Sequence, residues 1–471
     1  MAENKISFWI LTALVVGNMV GSGIFMLPRT LSEAASPAGV LLGWGVTGFG
    51  VLFLALVVGN LAIRKPELHG GPQIYAKELF PKNSKTSLIS GFMSSWGYWI
   101  GNFAGNAAII TTFASYLSTF FPILNSKLVI VEIGPFTLYS GNLLTFFVCS
   151  ILLWGLHIII LKGMDGAGKL NFVATAAKVI GFFLFIIIAL FAFEKSNLLP
   201  LYAPRYEETG LSLGLGGQVY HAAISTLWAF CGVESAVVFS GRAKKKQDIK
   251  KATIIGLLLA LAIYIGISLL VMGILPQNQL VQSEKPLVDA MEIVLGPIGA
   301  YLLSGLGIIS LLGSTIGWIL LSSEVPYQAA KQGIFIPAFA KENKKGMPVF
   351  SLILTNAFTQ VFLFSTISNS MASAFDFVIY IATLAFLVPY LISSLYQLKL
   401  VVTGETYLDH FGRWSDGIIA CLATLYSTWA IFAGTSDLKT FLFGMILLAS
   451  GLFFFPLLRK QKNVPTKQSA A

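Results

Sequence analysis

Two short stretches place chemically able groups where an apolar chain should hold none. The first is Gly17-Asn18-Met19-Val20-Gly21-Ser22-Gly23-Ile24-Phe25, inside the first long apolar run. Each glycine weakens a helix by about 1 kcal/mol relative to alanine, so this cluster predicts a helix interrupted in mid-run. The second is Trp228-Ala229-Phe230-Cys231-Gly232-Val233-Glu234-Ser235-Ala236, with a glycine at its centre and a carboxylate two residues later. Lipid satisfies no free backbone group, so such a break persists only where protein, water or a ligand takes those hydrogen bonds. The N-terminal end of a half-helix favours an anion and the C-terminal end a cation. An amino acid carries both charges on neighbouring atoms. Ser22 and the amide of Gly23 are therefore candidate carboxylate ligands, and the carbonyls of Met19, Trp228 and Cys231 candidate ammonium ligands. The competing explanation for one break is close helix packing through the small-x-x-x-small spacing of Gly17 and Gly21; a matched pair of breaks favours a site.

Two ionisable groups lie deep in apolar runs, Glu234 in the second break and Lys178 within Ala176-Ala177-Lys178-Val179-Ile180. An unpaired charge at such a depth costs at least about 2.5–3.5 kcal/mol, so each should face the protein interior with a partner. A structural pairing and a role in coupling or gating by protonation both fit. Trp228 and Trp318, the latter in Gly313-Ser314-Thr315-Ile316-Gly317-Trp318, sit mid-run instead of at the interfaces where membrane tryptophans concentrate. An indole face there can cover a bound cation. Trp96, Tyr98 and Trp99 cluster with Asn102 and Asn106, which share a helix face; these amides can bond a polar ligand or only neighbouring helices. Gly163-Met164-Asp165-Gly166-Ala167-Gly168-Lys169 spells the start of a phosphate-binding loop, but Leu170 replaces the required Ser or Thr and no strand precedes it. A turn between spans is expected there. No nucleophile, base and orienting residue stand together, so an enzyme is not expected. Cys149, Cys231, Cys421 and the four histidines His69, His157, His221 and His410 are too scattered for a disulfide framework, a metal site or any cofactor.

The elements that must position these groups are membrane helices. The chain of 471 residues is 56% hydrophobic and 11% charged, against about 25% charged residues in a soluble domain. Apolar runs of span length recur at roughly 7–33, 38–63, 88–121, 140–162, 168–193, 213–241, 249–275, 296–324, 348–366, 373–399, 414–433 and 437–458. An all-α polytopic membrane protein of twelve transmembrane helices is expected, with no cleavable signal peptide. The net charge of +10 comes from Lys and Arg in short loops, which orients a membrane protein and does not signal nucleic acid. Most of these residues fall on one side, in the loops near 64–85, 242–251 and 331–345 and in the tail. Both termini are then cytoplasmic. The two breaks fall in corresponding helices if spans 1 to 5 and 6 to 10 are two halves, which is the best sequence pointer to a transporter site. The expected organisation is a ten-helix transport core over 1–400, with inverted repeats at about 1–195 and 205–400, two appended helices over 401–458 and a cytoplasmic tail over 459–471.

Several motifs then act together: the stretch from Gly17 to Phe25, Gly70-Gly71-Pro72-Gln73-Ile74-Tyr75-Ala76, Trp99-Ile100-Gly101-Asn102, the stretch from Trp228 to Ala236, Gly317-Trp318 and Leu387-Val388-Pro389-Tyr390. With them the chain resembles the amino acid, polyamine and organocation transporter superfamily, and within it the basic amino acid/polyamine antiporters, most of all the arginine/ornithine antiporters. The resemblance implies a five-plus-five inverted repeat with broken helices 1 and 6, the LeuT-like fold, in a bacterial inner membrane, and often a homodimer in the lipid bilayer. It implies exchange of cationic amino acids, arginine for ornithine, by alternating access. A proton-coupled amino acid permease and an exchanger of an amino acid with its decarboxylated amine remain open. It also implies roles: Ser22 and Gly23 for the carboxylate, Met19, Trp228 and Cys231 for the amine, Asn102 for the distal cationic group and Trp318 for stacking. Gly97, Tyr98 and Tyr380 would line the pocket, Glu234 would be linked to protonation and release, and Tyr75 would be a cytoplasmic-side gate. Three positions depart from the agmatine-exchanging relatives: Ser94 replaces an aromatic gate residue, Tyr98 a small residue and Lys178 an alanine. Lys178 instead resembles a fifth-helix lysine that substitutes for sodium and ties the first helix to the eighth, which implies no sodium coupling.

Overall fold

The computed structural model describes residues 7–68, 71–82, 84–134, 136–162, 164–206, 210, 212–238, 243–368, 370–407 and 412–459. His69, Gly70, Gly163, Arg242, His410 and the tail beyond Arg459 lie outside the described residues. In chain order the helices begin with α1 (Phe8–Met19), α2 (Gly23–Ala34), α3 (Pro37–Arg64), α4 (Tyr75–Leu79) and α5 (Lys85–Leu117). A hairpin of β1 (Val129–Ile133) and β2 (Phe136–Tyr139) leads into α6 (Ser140–Leu161) and α7 (Met164–Phe191). A second hairpin, β3 (Arg205–Tyr206) with β4 (Ser212–Leu213), precedes α8 (Leu215–Ala229), α9 (Ser235–Val238) and α10 (Lys246–Ile274). There follow α11 (Gln277–Leu280), α12 (Pro286–Leu295), α13 (Pro297–Lys331), α14 (Val349–Leu363), α15 (Ser365–Ser368), α16 (Met371–Thr403), α17 (Arg413–Ala433) and α18 (Leu438–Arg459).

Helix covers each of the twelve apolar runs. Among the described residues, eight helices are long and apolar enough to cross a membrane by length and composition, and α1 with α2 makes a ninth candidate when counted as one bent span. The protein is thus a mostly helical, polytopic membrane protein, although the two small hairpins mean that it is not purely α-helical. One further expectation fails. The segment Met164–Lys169 is the first part of α7 and not a turn, because glycines at 166 and 168 are tolerated in a helix whose later residues are strongly apolar.

Local chemistry sets the ends. Pro37 and Pro297 stand at the first turns of α3 and α13, where a missing N–H costs nothing. Ser84 accepts a hydrogen bond from the Ser87 amide at 3.0 Å and Ser370 from the Ser373 amide at 3.2 Å, capping α5 and α16. Gly404, with φ of +73°, ends α16. The helices α13 and α16 both pack extensively on α5, with α3 on α10 and α1 on α10 completing the surround of both breaks.

Ion pairs close the ends of the bundle. Arg29 of α2 pairs with Asp376 of α16 and with Glu33 at 3.0 Å, while Thr30 Oγ1 donates to Asp376 at 2.6 Å. At the opposite end, Arg64 of α3 holds Asp416 of α17 at 2.7 Å, and Tyr407 and Asn60 donate to the same carboxylate. Lys65 Nζ donates to Glu405 at 2.5 Å, and this bond holds the Glu405 carboxyl below the usual carboxylate range.

Candidate functional site

The helical run stops at Met19 and resumes at Gly23 with a bend of 44°. Between them the amide of Gly21 turns back onto the Met19 carbonyl at 2.7 Å, and the Phe25 amide reaches the Ser22 carbonyl at 3.1 Å. The glycines differ in what they do. A methyl group placed on Gly17 would meet nothing within 4 Å, so Gly17 is not a close-packing residue and small-residue packing does not explain this break. At Gly23 the same methyl would stand 3.5 Å from the Trp228 ring and 3.6 Å from the Ala229 Cα, so here the first break presses against the second.

The second break follows Ala229. Residues 230–234 form successive turns, with the Cys231 amide on the Trp228 carbonyl and the Ser235 amide on the Gly232 carbonyl. Gly232 has φ of +103° and approaches Asn18 so closely that a Cβ there would lie 3.3 Å from that side chain. Both reasons require glycine. Asn18 Nδ2 donates to Ser235 Oγ at 2.8 Å, and Ser235 Oγ donates to the Gly232 carbonyl at 2.5 Å. Tyr264 of α10 completes the junction. Its hydroxyl lies 2.6 Å from the Met19 carbonyl and 2.7 Å from the Ala229 carbonyl, so one phenolic proton serves the C-terminal ends of both half-helices. Trp44 stacks on the Tyr264 ring at 5.0 Å and 10°, which fixes that ring.

Glu234 is fully enclosed and takes three donors. Tyr98 Oη of α5 donates to Oε1 at 2.5 Å, Tyr390 Oη of α16 donates to Oε2 at 2.7 Å, and the Gly232 amide reaches Oε2 at 3.2 Å. Its partners are hydroxyls and an amide instead of a cation, so the carboxylate joins the second break to α5 and α16. Phe386 packs edge-on against Tyr98 and stacks on Tyr390, which holds both hydroxyls in place.

The two tryptophans meet as their positions suggest: the rings of Trp228 and Trp318 are 6.0 Å apart, with Trp318 also edge-on to Phe386. Gly105 of α5 leaves room for them, since a Cβ there would be 2.8 Å from the Trp228 ring. Asn102 Nδ2 is turned onto the Tyr98 carbonyl at 2.6 Å and Asn106 Nδ2 onto Ser322 Oγ at 2.8 Å. Among the described residues Ser22 Oγ, Ser94 Oγ, Asn102 Oδ1 and Asn106 Oδ1 are buried without a protein partner. Buried polar atoms of this kind are expected to bond something. Tyr75 lies at the end of the bundle occupied by Arg64 and Asp416, its ring stacked at 5.8 Å on Tyr396.

Lys178 of α7 points at the first break. Its Nζ lies 3.2 Å from the Gly17 carbonyl of α1 and 3.2 Å from Ser314 Oγ of α13. Replacing Lys178 with Met keeps most of the stem and removes the two bonds and the charge. Substrate uptake by reconstituted protein should fall at least about tenfold, the equivalent of one charge-assisted bond of roughly 1.5–3 kcal/mol. Parent-like uptake by Lys178→Met would show that this tie is dispensable.

Two expected pocket residues are elsewhere. Gly97 faces Leu448 of α18 and the Ala385 carbonyl of α16, one face round α5 from Tyr98. Tyr380 donates to the Gly434 carbonyl and lies 3.2 Å from Ser436 Oγ, so it binds the connection between α17 and α18. Four residues in the junction escaped the sequence reading: Asn18, Ser235, Tyr264 and Tyr390. Asn18 and Ser235 lie inside the recognised breaks. Tyr390 follows Pro389 in a quoted motif, whereas Tyr264 stands in an unbroken apolar run and carries no local signal.

Comparisons with known proteins give the family. Residues 6–453 match a family model described as amino acid permease. A Bacillus subtilis protein named "Putative arginine/ornithine antiporter" is 53% identical over 96% of each chain. The "Arginine/ornithine antiporter" of Pseudomonas aeruginosa is 37% identical over 98% of this chain and 93% of its own, and that of Latilactobacillus sakei is 34% identical over 98% and 91%. Two juxtaposed helix breaks in a polytopic helical protein, matched from end to end by such relatives, make this chain a member of the amino acid permease family of the amino acid, polyamine and organocation superfamily.

Proposed function

We propose that the protein is a secondary active transporter, not an enzyme, that exchanges arginine for ornithine across a bacterial inner membrane by alternating access. The observation that carries this reading is the junction of the two breaks through Asn18, Ser235 and Tyr264, which gathers amide ends and carbonyl ends of four half-helices at one place. Relatives named as arginine/ornithine antiporters support the choice of substrates. In this reading the twelve helical runs are twelve spans with both termini cytoplasmic. The inverted repeats of about 1–195 and 205–400 form the transport core, 401–458 is appended, and the unit is a homodimer.

The unpartnered Ser22 hydroxyl and the Gly23 amide take the α-carboxylate, and the carbonyls of Met19, Trp228 and Cys231 take the α-ammonium. Asn102 Oδ1 receives the distal cationic group beside Trp318. Glu234 changes charge to release substrate, Lys178 substitutes for a sodium ion, and Tyr75 gates the cytoplasmic side. Ser94 and Tyr98 shape the pocket, Tyr98 through its bond to Glu234. Gly97 and Tyr380 act on it only through α16 and α18, given where they pack.

A counterflow panel of labelled amino acids and amines against purified protein in liposomes tests the reading: arginine and ornithine should give the largest signals, and preference for a neutral amino acid would overturn it. Trp318→Ala should weaken arginine binding by up to about 30-fold, taking roughly 2 kcal/mol for a desolvated cation on an indole face, and should weaken neutral amino acids less. Equal losses for both classes would remove Trp318 from cation recognition.

A further inference from the structure

The hairpin of β1 and β2 departs from what a water-facing hairpin requires. Such a hairpin alternates, with polar residues on its solvated face. Here Val129, Ile130, Val131 and Ile133 are all exposed, Ile133 to 68%, and because successive side chains point to opposite faces both faces of β1 are apolar. The register pairs Val129 with Tyr139 and Val131 with Leu138, so β2 adds apolar side chains beside them, and Glu132 is the one charge in the two strands. Phe121, Ile123 and Leu128 extend the exposed apolar surface toward α5. A patch of this kind marks an interaction surface.

The attachment of the hairpin identifies what covers it. The Ser140 amide bonds the Leu128 carbonyl at 2.8 Å and the Gly141 amide bonds the Ser126 carbonyl at 3.0 Å, tying the root of the hairpin to the first turn of α6. The span α6 then presents Leu144, Phe147 and Ile151 outward, one helical face that continues the same apolar surface. We infer that the β1–β2 hairpin is an interfacial membrane anchor that lies in the headgroup and acyl-chain boundary beside α6. A two-stranded sheet has two free backbone edges, which cannot be sunk in hydrocarbon. The boundary region satisfies those edges with water and headgroups while it buries the apolar side chains. Lys127 at the root and Glu132 on β1 keep their charges in the polar part of that zone.

The test uses the full chain with Cys421→Ala, since Cys421 is the exposed cysteine and Cys149 and Cys231 are buried. Ile130→Cys and Ile133→Cys are labelled separately with a bimane in nanodiscs, each checked by size-exclusion chromatography, and a label at Phe147→Cys on α6 serves as a deep reference. Nitroxides on shallow acyl positions should quench both hairpin labels more than mid-chain nitroxides do, with a depth within about 5–10 Å of the headgroup boundary. Quenching by aqueous iodide with none from lipid nitroxides would overturn the anchor. Shielding from both quenchers would also overturn it, because a protein surface would then be the cover.

Discussion

Glu234→Gln is expected to cut arginine–ornithine exchange at least about tenfold and to flatten its pH dependence. The carboxylate accepts from Tyr98, Tyr390 and the Gly232 amide. Glutamine keeps one acceptor oxygen and presents an NH2 group to the other side. A tyrosine hydroxyl can turn to accept from that group, but the Gly232 amide cannot. The glutamine oxygen therefore takes the Oε2 position facing Tyr390 and Gly232, and what is lost is the charge assistance of the three bonds, about 1 kcal/mol each, while shape and volume are nearly unchanged. The variant should fold. It is also fixed in the neutral form, so a transport cycle in which Glu234 changes charge loses its response to protons. Exchange rates in proteoliposomes across a pH series read both effects. A parent-like rate with a parent-like pH profile would leave Glu234 a purely structural carboxylate.

The second large effect is expected at Tyr264. Tyr264→Phe removes one oxygen and leaves the ring stacked on Trp44 and edge-on to Phe230. The Ala229 carbonyl then loses its donor while the Met19 carbonyl keeps the Gly21 amide, at a cost of about 1–3 kcal/mol for the buried acceptor left unsatisfied. These carbonyls belong to the ends proposed to hold the α-ammonium, so loss of their fixed positions falls on substrate binding. Arginine affinity should weaken by at least about tenfold, with the ring packing sustaining the fold. Rescue is informative. A variant that binds arginine as tightly as the parent would mean that the two breaks are held together by Asn18 and Ser235 alone.

Much of this candidate site is legible in the sequence because a broken membrane helix leaves marks there. Gly232 is required by its positive φ, Glu234 is a charge in an apolar run, and Lys178 is another. Each violates the rules of a lipid-exposed helix, and each lies at the junction. Residues that obey those rules were invisible. Tyr264 sits in an ordinary apolar run, and only the packing of α10 against α1 brings its hydroxyl to the two carbonyls. Helix rotation separates neighbouring positions: Tyr98 and Gly97 are adjacent in sequence, yet about 100° apart on α5, so one meets Glu234 and the other meets α18. Tyr380 shows the same limit at longer range, since its partner Gly434 comes from a connection that no local pattern ties to α16. The start of α7 was misjudged because glycines at 166 and 168 suggest a turn when the packing of the following apolar residues is unknown.

Coupling between the two halves of the cycle is what distinguishes an exchanger from a permease. Ser22 Oγ and Asn102 Oδ1 are buried beside the breaks without a protein partner, so an unloaded site would have to reorient with these groups uncompensated. That cost opposes return of the empty carrier and favours exchange. The most direct measurement is uptake of labelled arginine by liposomes that contain the purified protein, either preloaded with ornithine or empty. Preloaded vesicles should accumulate arginine and empty ones should show only background, without any imposed ion gradient. Equal uptake into both would contradict obligatory exchange.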